Sequence, residues 1–254
     1  MIANYHTHTP RCKHAQGSEE AYVRCAIEAG IQTLGFSDHT PYPFPNGYVS
    51  TFRMAVEELP GYANAVRTVQ AQFSGQIGIR LGVEAEFYPK YFADMLSLLK
   101  DNGVEYMILG QHMLGSEINE PYCGIPSDDT GLERYCNQSI EAMYTGLFTY
   151  FAHPDLVHFM GDPQVYRTHM RRVCRAANAC GIPLEINLLG LKSGRHYPNP
   201  LFWETAAEEG CTAILGCDAH QPDALLDPQP EQAARAMAAR LGLRLLEDMP
   251  LKQI

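Results

Sequence analysis

The chain alternates between short apolar runs and longer segments in which apolar residues recur every three or four positions. Residues 104–109 show the first pattern: they follow Gly103 and are almost all apolar, which predicts a buried strand. The segment after Ser18 shows the second pattern, with an acidic first turn, apolar residues at helical spacing and Gly30 at its end. An N-cap serine and a closing glycine of this kind predict a helix.

The same two patterns recur along the chain, with strand and helix in alternation. Strands are predicted at residues 2–5, 31–36, 77–87, 104–109, from 150 onward, 183–187, 212–216 and 243–246. Helices are predicted at residues 18–30, 54–73, 91–102, 132–144, 165–180, 201–209 and 231–241, with Pro60-Gly61 as a candidate break in the second. Such alternation predicts an α/β protein with a parallel sheet covered by helices.

The number of repeated units decides which parallel sheet to expect. An open doubly wound sheet and a closed barrel both show this alternation. About seven strand–helix units in 254 residues favour a barrel. Because no linker separates the units, we expect one domain over residues 1–254.

Composition and charge narrow the class of protein. With 46% hydrophobic residues the chain can bury a large core, and the net charge of −10 argues against binding nucleic acid or an anionic membrane through general surface charge. No apolar run is long enough to span a membrane, and no signal peptide is recognisable at Met1. None of the eight cysteines forms a CxxC pair, so we expect reduced thiols and a cytoplasmic protein.

Most of the histidines lie where predicted strands end. Seven of the ten fall at or shortly after the carboxyl end of a strand: His6, His8, His14, His39, His112, His153 and His220. Carboxylates accompany them: Asp38, Glu84, Glu86, Asp155, Glu185 and Asp218. In a parallel α/β fold these ends share one face, which carries the active site. Side chains far apart in the sequence are therefore predicted to meet.

The spacing of these residues points to metal binding. His6 and His8 are two residues apart, and on a strand this spacing directs both rings to one face. Asp218 and His220 repeat it near the other end of the chain. A single histidine is more often a hydrogen-bonded core or surface residue. Seven on one face would leave many ring nitrogens to satisfy without a metal ion.

The number of candidate ligands indicates more than one ion. Seven histidines together with Glu84 and Asp218 exceed the three or four protein ligands of a single zinc ion. A carboxylate such as Glu84 can bridge two ions. Mixed imidazole and carboxylate ligands suit zinc, iron or manganese better than calcium or magnesium.

Seven motifs along the chain match one family in order. They are His6-Thr7-His8-Thr9, Cys12-Lys13-His14-Ala15, Ser37-Asp38-His39-Thr40-Pro41, Gly82-Val83-Glu84-Ala85-Glu86, His153-Pro154-Asp155-Leu156, Leu184-Glu185-Ile186-Asn187 and Cys217-Asp218-Ala219-His220. Through them the chain resembles the PHP (polymerase and histidinol phosphatase) family. The resemblance implies a distorted (β/α)7 barrel, a TIM-like fold. Gln111 departs from the pattern, since relatives carry Ser-Val or Ser-Ile before the histidine that corresponds to His112.

The resemblance also implies a cofactor and an activity. It implies two or three divalent ions, with one ion held by His6, His8, Glu84 and Asp218, a second by Glu84, His112 and His153, and a third by His14, His39 and His220. In the phosphatase branch a metal-bound hydroxide, here held by Glu84, His112, His153 and Asp218, attacks the phosphorus of L-histidinol phosphate. Asp38 and Glu185 are then expected to orient ligand rings.

A phosphate ester needs cations besides the metal ions. Lys192 and Arg195 follow the sixth predicted strand, and the resemblance points to a basic residue in this loop, with Arg195 favoured because arginine can fork onto two phosphate oxygens. Arg53, after a proline-rich aromatic loop, is a weaker candidate. Each could instead be a solvated surface cation.

Long loops and unassigned residues complete the expectations. Residues 40–53, 114–131 and 221–230 are predicted to enclose the substrate. Acidic residues on one of these loops would favour a cationic head group: Glu117, Glu120, Asp128 and Asp129. His158 and His196 are candidates to touch substrate, and His169 is expected to be exposed.

Three functions remain open from the sequence. The first is a phosphomonoesterase for a small phosphate ester, with no nucleic-acid or membrane partner. The second is a phosphodiesterase, exonuclease or generalist phosphatase acting on nucleotides, and the third is a metal-binding module without catalysis. The acidic composition counts against the second, and the complete set of ligand positions counts against the third. The oligomeric state is not readable from the sequence.

Overall fold

The computed structural model describes residues 1–118 and 120–254, and Asn119, in the predicted loop 114–131, lies outside this part. Its strands, in chain order, are β1 (Ala3–Asn4), β2 (Thr33–His39), β3 (Gly78–Ala85), β4 (Tyr106–Leu109), β5 (Pro126–Ser127), β6 (Phe148–Phe151), β7 (His158–Phe159), β8 (Leu184–Asn187), β9 (Thr212–Gly216) and β10 (Arg244–Leu246). Its α-helices are α1 (Glu19–Glu28), α2 (Leu59–Gln72), α3 (Phe92–Asp101), α4 (Asp129–Tyr144), α5 (Pro163–Cys180), α6 (Leu188–Lys192), α7 (Pro200–Glu208) and α8 (Pro228–Leu241). Short 3-10 helices span Pro10–Cys12, Val56–Glu58 and Pro222–Leu226.

Eight strands form one parallel sheet, in the order β1-β2-β3-β4-β6-β8-β9-β10. The sheet curls so that its first strand approaches its last ones: the Ala3 amide donates to the Glu247 carbonyl (3.2 Å), and Thr7 forms a parallel bridge with Ala219. Seven strand–helix units precede β10, which confirms the predicted α/β barrel-like arrangement. Strands β5 and β7 form a separate parallel pair outside the sheet.

Bulky side chains fill the inside of the curled sheet. They form one buried cluster of Ala3, Tyr5, Tyr106, Ile108, Tyr150, Ala152 and Ile214. The Tyr106 hydroxyl donates to the Tyr5 carbonyl (3.0 Å). A Cβ atom added to Gly82 would lie 2.2 Å from the Tyr106 ring, so glycine is required in β3 for this ring to fit. The core below the strand ends is therefore a packed solid rather than a pore.

Several helices differ from the predicted ones in their limits or continuity, and each difference has a local cause. Helix α2 is continuous, because Pro60 lies in its first turn, where no amide donor is needed. Helix α4 begins at Asp129 rather than at residue 132, since the Asp128 carboxylate caps it by accepting from the Gly131 amide (2.9 Å). The short helix α6, which was not predicted, places Lys192 in a helix instead of a loop. Among the described residues, no helix has the length and apolar character needed to cross a membrane.

Candidate metal centre

The structure brings all nine predicted metal ligands to the carboxyl ends of the strands. His6 and His8 follow β1, His39 ends β2, Glu84 lies in β3 opposite His39, His112 follows β4, His153 follows β6, and Asp218 and His220 follow β9. His14 follows the 3-10 helix Pro10–Cys12, and its ring centroid lies 4.7 Å from that of His220. The convergence that parallel topology predicts is thus present in the fold.

Glu84 lies at the centre of this group. It is 1% exposed, and each of its oxygens faces a different set of rings. From Oε1 the distances are 2.8 Å to His153 Nε2, 3.4 Å to His112 Nε2 and 3.6 Å to His6 Nε2, and from Oε2 they are 3.1 Å to His39 Nδ1 and 3.6 Å to His8 Nε2. Burial raises the pKa of this carboxyl, but the charges of the surrounding histidines outweigh burial and hold the pKa well below its usual range. Glu84 therefore presents an ionised carboxylate with one oxygen to each side.

Asp218 is the second carboxylate of the group. Its Oδ1 lies 3.1 Å from His8 Nε2 and 3.5 Å from His6 Nε2, while its Oδ2 accepts from the Asn187 amide (3.1 Å). Burial opposes ionisation here too, and His6 and His8 outweigh it to keep the pKa of Asp218 well below its usual range. The backbone of Asp218 has φ 50° and that of His153 has φ 32°. Such positive φ values are uncommon for residues other than glycine, and those that occur cluster at functional sites.

Several buried ligand atoms in the group lack a hydrogen-bond partner. They are His6 Nε2, His8 Nδ1, His8 Nε2, His39 Nδ1, Glu84 Oε2, His153 Nδ1 and His220 Nε2. A buried polar atom without a partner costs about 1–3 kcal/mol, so seven together need an explanation. Triads such as His6–His8–Glu84 place their ligand atoms within 4.8 Å of one another. The residues present therefore fit divalent metal ions, and imidazole with carboxylate is a donor set that such ions accept.

Two further carboxylates hydrogen-bond rings of the group from behind, and a third lies beside the His8 ring. Glu185 Oε2 lies 2.8 Å from His6 Nδ1, Glu86 Oε1 lies 2.9 Å from His112 Nδ1, and Asp38 Oδ1 lies 3.5 Å from His8 Nδ1. A carboxylate on one ring nitrogen fixes the tautomer and leaves the other nitrogen free for a ligand role. Asp38 and Glu185 were expected here. The sequence analysis gave no such role to Glu86, although its place two residues after Glu84 is a usable signal.

A cavity of about 560 Å³ opens over the group. It is lined by His14, His39, Tyr48, Thr51, Phe52, Glu84, His112, Met113, Glu117, Tyr122, His153, Leu156, Leu189, Arg195, Tyr197, Asp218 and His220. This volume suits a small molecule, and the mixture of rings, aliphatic side chains and a few charges is typical of a ligand site. The predicted loops 40–53 and 114–131 both contribute to it, whereas none of the lining residues the structure describes comes from 221–230.

Only one of the three predicted phosphate-binding cations reaches this cavity. Arg195 lines it and donates a hydrogen bond to the Tyr197 hydroxyl, with its guanidinium carbon 5.6 Å from the centre of that ring. Lys192 is 48% exposed and pairs instead with Asp227 (3.0 Å) at the start of α8. Its place in α6 does not support a phosphate contact.

Arg53 takes a structural place rather than the predicted phosphate contact. It is 1% exposed and lies between Glu86 and Glu117, with distances of 2.8 Å from Nη2 to Glu86 Oε1 and 2.5 Å from Nε to Glu117 Oε2. Its Nη1 also donates to the Thr40 carbonyl (2.7 Å). Each nitrogen of the buried guanidinium thus has a partner within the protein, and Arg53 does not line the cavity.

The remaining predicted residues are spread around the site. His158 and His196 stack on each other with centroids 4.3 Å apart, and neither is among the residues that line the cavity. His169 lies half-buried on α5, so the expectation of an exposed ring was wrong. Of the four acidic loop residues only Glu117 lines the cavity, because Glu120 pairs with Arg134, Asp128 caps α4 and Asp129 lies in the first turn of that helix.

Comparisons with known proteins agree with this geometry. The PHP domain family matches residues 4–188. A Deinococcus radiodurans protein named "Probable histidinol-phosphatase" is 34% identical over 87% of each chain, and the Bacillus subtilis histidinol-phosphatase is 24% identical over 85% of this chain and 92% of its own. The fold is that of the Lactococcus lactis histidinol phosphate phosphatase, solved with zinc, L-histidinol and phosphate: the TM-score is 0.74 at 19% identity, covering 96% and 95% of the two chains. The chain belongs to the PHP domain family.

Proposed function

We propose that this protein, acting as one domain over residues 1–254, is a metal-dependent phosphomonoesterase that hydrolyses L-histidinol phosphate to L-histidinol and phosphate in histidine biosynthesis. One observation carries the proposal: unpartnered buried ligand atoms around Glu84 and Asp218 lie under a cavity that also contains Arg195. The names of the Deinococcus and Bacillus relatives support the substrate.

The proposed cofactor is two or three zinc, iron or manganese ions. The residues that would hold them are His6, His8, His14, His39, Glu84, His112, His153, Asp218 and His220, and Glu84 presents one oxygen to each of two sets of rings. When bound, such ions activate water at neutral pH and neutralise charge on a phosphoryl group. Glu84 and Asp218 would offset only part of the positive charge of the ions, so the centre would stay net positive and attract an anion.

The chain's own residues contribute position and charge. Glu185 and Glu86 hold the rings of His6 and His112 in fixed orientations, and Asp38 lies 3.5 Å from the His8 ring, so part of the ligand set is preorganised before substrate arrives. The Arg195 guanidinium donates hydrogen bonds to the phosphate oxygens, and its hydrogen bond to the Tyr197 hydroxyl fixes its orientation. Hydrogen bonds aimed at an anion in a partly enclosed cavity are stronger than the same bonds in water.

The cavity wall suits a cationic, aromatic head group. Glu117 is 5% exposed and lines the cavity, and its Oε1 has no hydrogen-bond partner among the described residues. It can accept a hydrogen bond from the ammonium group of histidinol phosphate. Tyr48, Phe52 and Tyr122 provide ring faces for the imidazole. The substrate would thus be held at both ends, by Arg195 and by Glu117.

The proposal predicts a preference between phosphate esters. We expect kcat/KM for L-histidinol phosphate to exceed the values for a nucleoside monophosphate and a sugar phosphate by at least about tenfold, or roughly 1.4 kcal/mol. Steady-state assays on the three esters, each with and without a chelator, measure this. A smaller preference indicates a generalist phosphatase, and turnover that survives complete removal of metal contradicts the metal-dependent mechanism.

Arg195 and Lys192 make a matched pair for the phosphate contact. We expect Arg195→Ala to lower kcat/KM by roughly 10²-fold, because the lost donors face the charge that develops on the phosphoryl group. Arg195→Lys should recover only part of this loss, since lysine lacks the fork. Lys192→Ala, which removes a cation from α6 beside Asp227, provides the comparison. A large loss in Lys192→Ala with little loss in Arg195→Ala would reverse the assignment.

A further inference from the structure

Cys12 lies inside the metal centre, although sequence patterns treat it as a small apolar residue. It ends the 3-10 helix Pro10–Cys12 and is completely buried. Its sulfur lies within 4.8 Å of ring nitrogens of His14 and His220, which are within the same distance of each other. The sulfur also forms such a group with His8 and Asp38. Cys12 is thus surrounded by residues that the proposed function already places on metal ions.

Some ring nitrogens beside the sulfur have no hydrogen-bond partner. His8 is fully buried, and neither of its ring nitrogens has one, although its Nδ1 lies 3.5 Å from Asp38 Oδ1. His220 Nε2 is buried and also lacks a partner. The rings of His8 and His220 stack with centroids 4.1 Å apart, and the ring of His14 stacks on His220 at 4.7 Å. Nitrogens without a hydrogen-bond partner therefore lie on two of the three rings that group with the sulfur, those of His8 and His220.

The family resemblance implies an ion held by His14, His39 and His220. In the structure His39 has a ligand atom within 4.8 Å of those of His8 and His220, and its Nδ1 also lies 3.1 Å from Glu84 Oε2. A structural zinc ion takes four ligands, so the outer site has room for one beyond these three histidines. Ligands of one tetrahedral zinc lie roughly 3.3–3.8 Å apart, given Zn–S and Zn–N bonds of about 2.3 and 2.0 Å. The ligand atoms of Cys12, His14 and His220 lie within 4.8 Å of one another, so small movements of the side chains bring them to that spacing.

We propose that Cys12 is a ligand of the outer metal ion, binding it through its sulfur together with His14 and His220. The inference rests on the metal-dependent part of the proposed function and adds a residue to it. The thiol loses its proton to solvent when the ion binds. A thiolate is a soft ligand, so this site should select zinc over manganese, whereas the ligands around Glu84 are only nitrogen and oxygen.

Other cysteines near the cluster do not share this position. Cys217 directly precedes Asp218, but its sulfur contacts the Met1 sulfur at 3.9 Å. Cys25 lies half-buried on α1. Cys25→Ser is therefore the matched control for Cys12→Ser, since it removes one thiol from a neighbouring element without touching the cluster.

X-ray absorption at the zinc edge tests the proposal on the unaltered protein. We expect the zinc-loaded wild type to show a sulfur scatterer at about 2.3 Å in addition to nitrogen and oxygen at about 2.0 Å. The sulfur signal should disappear in Cys12→Ser and persist in Cys25→Ser. Competition with a chromophoric chelator should show that Cys12→Ser binds one zinc ion at least about tenfold more weakly, with the remaining ions unchanged.

The outcomes separate this proposal from the proposed function. A shell of nitrogen and oxygen alone in the wild type overturns the role of Cys12, whatever the zinc content. A sulfur signal that persists in Cys12→Ser assigns the sulfur elsewhere and overturns it as well. A sulfur signal that depends on Cys12, in a protein that does not hydrolyse L-histidinol phosphate, supports the ligand and rejects only the substrate. The wild-type spectrum needs no variant, so the test does not depend on how well Cys12→Ser folds.

Discussion

Asp218→Ala is expected to lower kcat/KM for L-histidinol phosphate by roughly 10³-fold or more. The Asp218 carboxylate lies 3.1 Å from His8 Nε2 and 3.5 Å from His6 Nε2. Its removal takes away the charged ligand that would bind the same metal ion as these two rings. It also leaves buried histidine rings without their anion. Metal content per chain, measured on protein purified without chelator, should fall together with the rate.

His8→Ala, which removes the ring that faces Asp218, should likewise lower both kcat/KM and metal content. Two controls distinguish lost ligands from general damage: Asp129→Ala removes a carboxylate from the exposed first turn of α4, and His169→Ala removes a half-buried ring from α5, outside the ligand group. Circular dichroism should show that each variant remains folded. Full metal content together with normal turnover in Asp218→Ala and His8→Ala would reject the assigned ligand set.

The fold was predictable because local pattern and topology agree along the chain. Ser18 caps α1, a glycine follows α5, and the short apolar runs become the strands of the curled sheet. Once the strands are known to be parallel, the positions of His6, Glu84 and Asp218 at their ends place them on one face without any further information. For this reason the metal-ligand candidates could be collected before any distance was known.

Partners that depend on the path of the chain between strands could not be predicted. Arg53 is a lone cation in the sequence, and neither Glu86, 33 residues away, nor Glu117, 64 residues away, marks it as buried. Lys192 was expected in a loop, but Asn187 caps α6 and turns Lys192 toward Asp227. The role proposed for Cys12 could not be predicted either, because nothing in its local sequence distinguishes a metal ligand from a buried apolar residue.

The largest change from the sequence prediction concerns Arg53, which was a candidate for phosphate binding and instead forms buried ion pairs. Arg53 lies between two carboxylates that are as buried as itself, and Glu86 in turn holds His112 through its Nδ1. Burial raises the pKa of Glu86, but the charge of Arg53 outweighs burial and the pKa is lowered. Removal of the arginine would leave two buried carboxylates with no compensating cation. Breaking a buried ion pair by taking away one partner typically costs about 3–5 kcal/mol.

Arg53→Met is therefore expected to lower the free energy of unfolding by about 3–5 kcal/mol, measured by urea denaturation of the metal-free protein. The same substitution in a Glu117→Gln background should cost less, since one of the two stranded charges is then already absent. Arg24→Met, at an exposed ion pair on α1, is the control and should change stability little. A phosphate-binding Arg53 would give the opposite pattern, with KM raised and the unfolding free energy unchanged, and that result would restore the role first expected from the sequence.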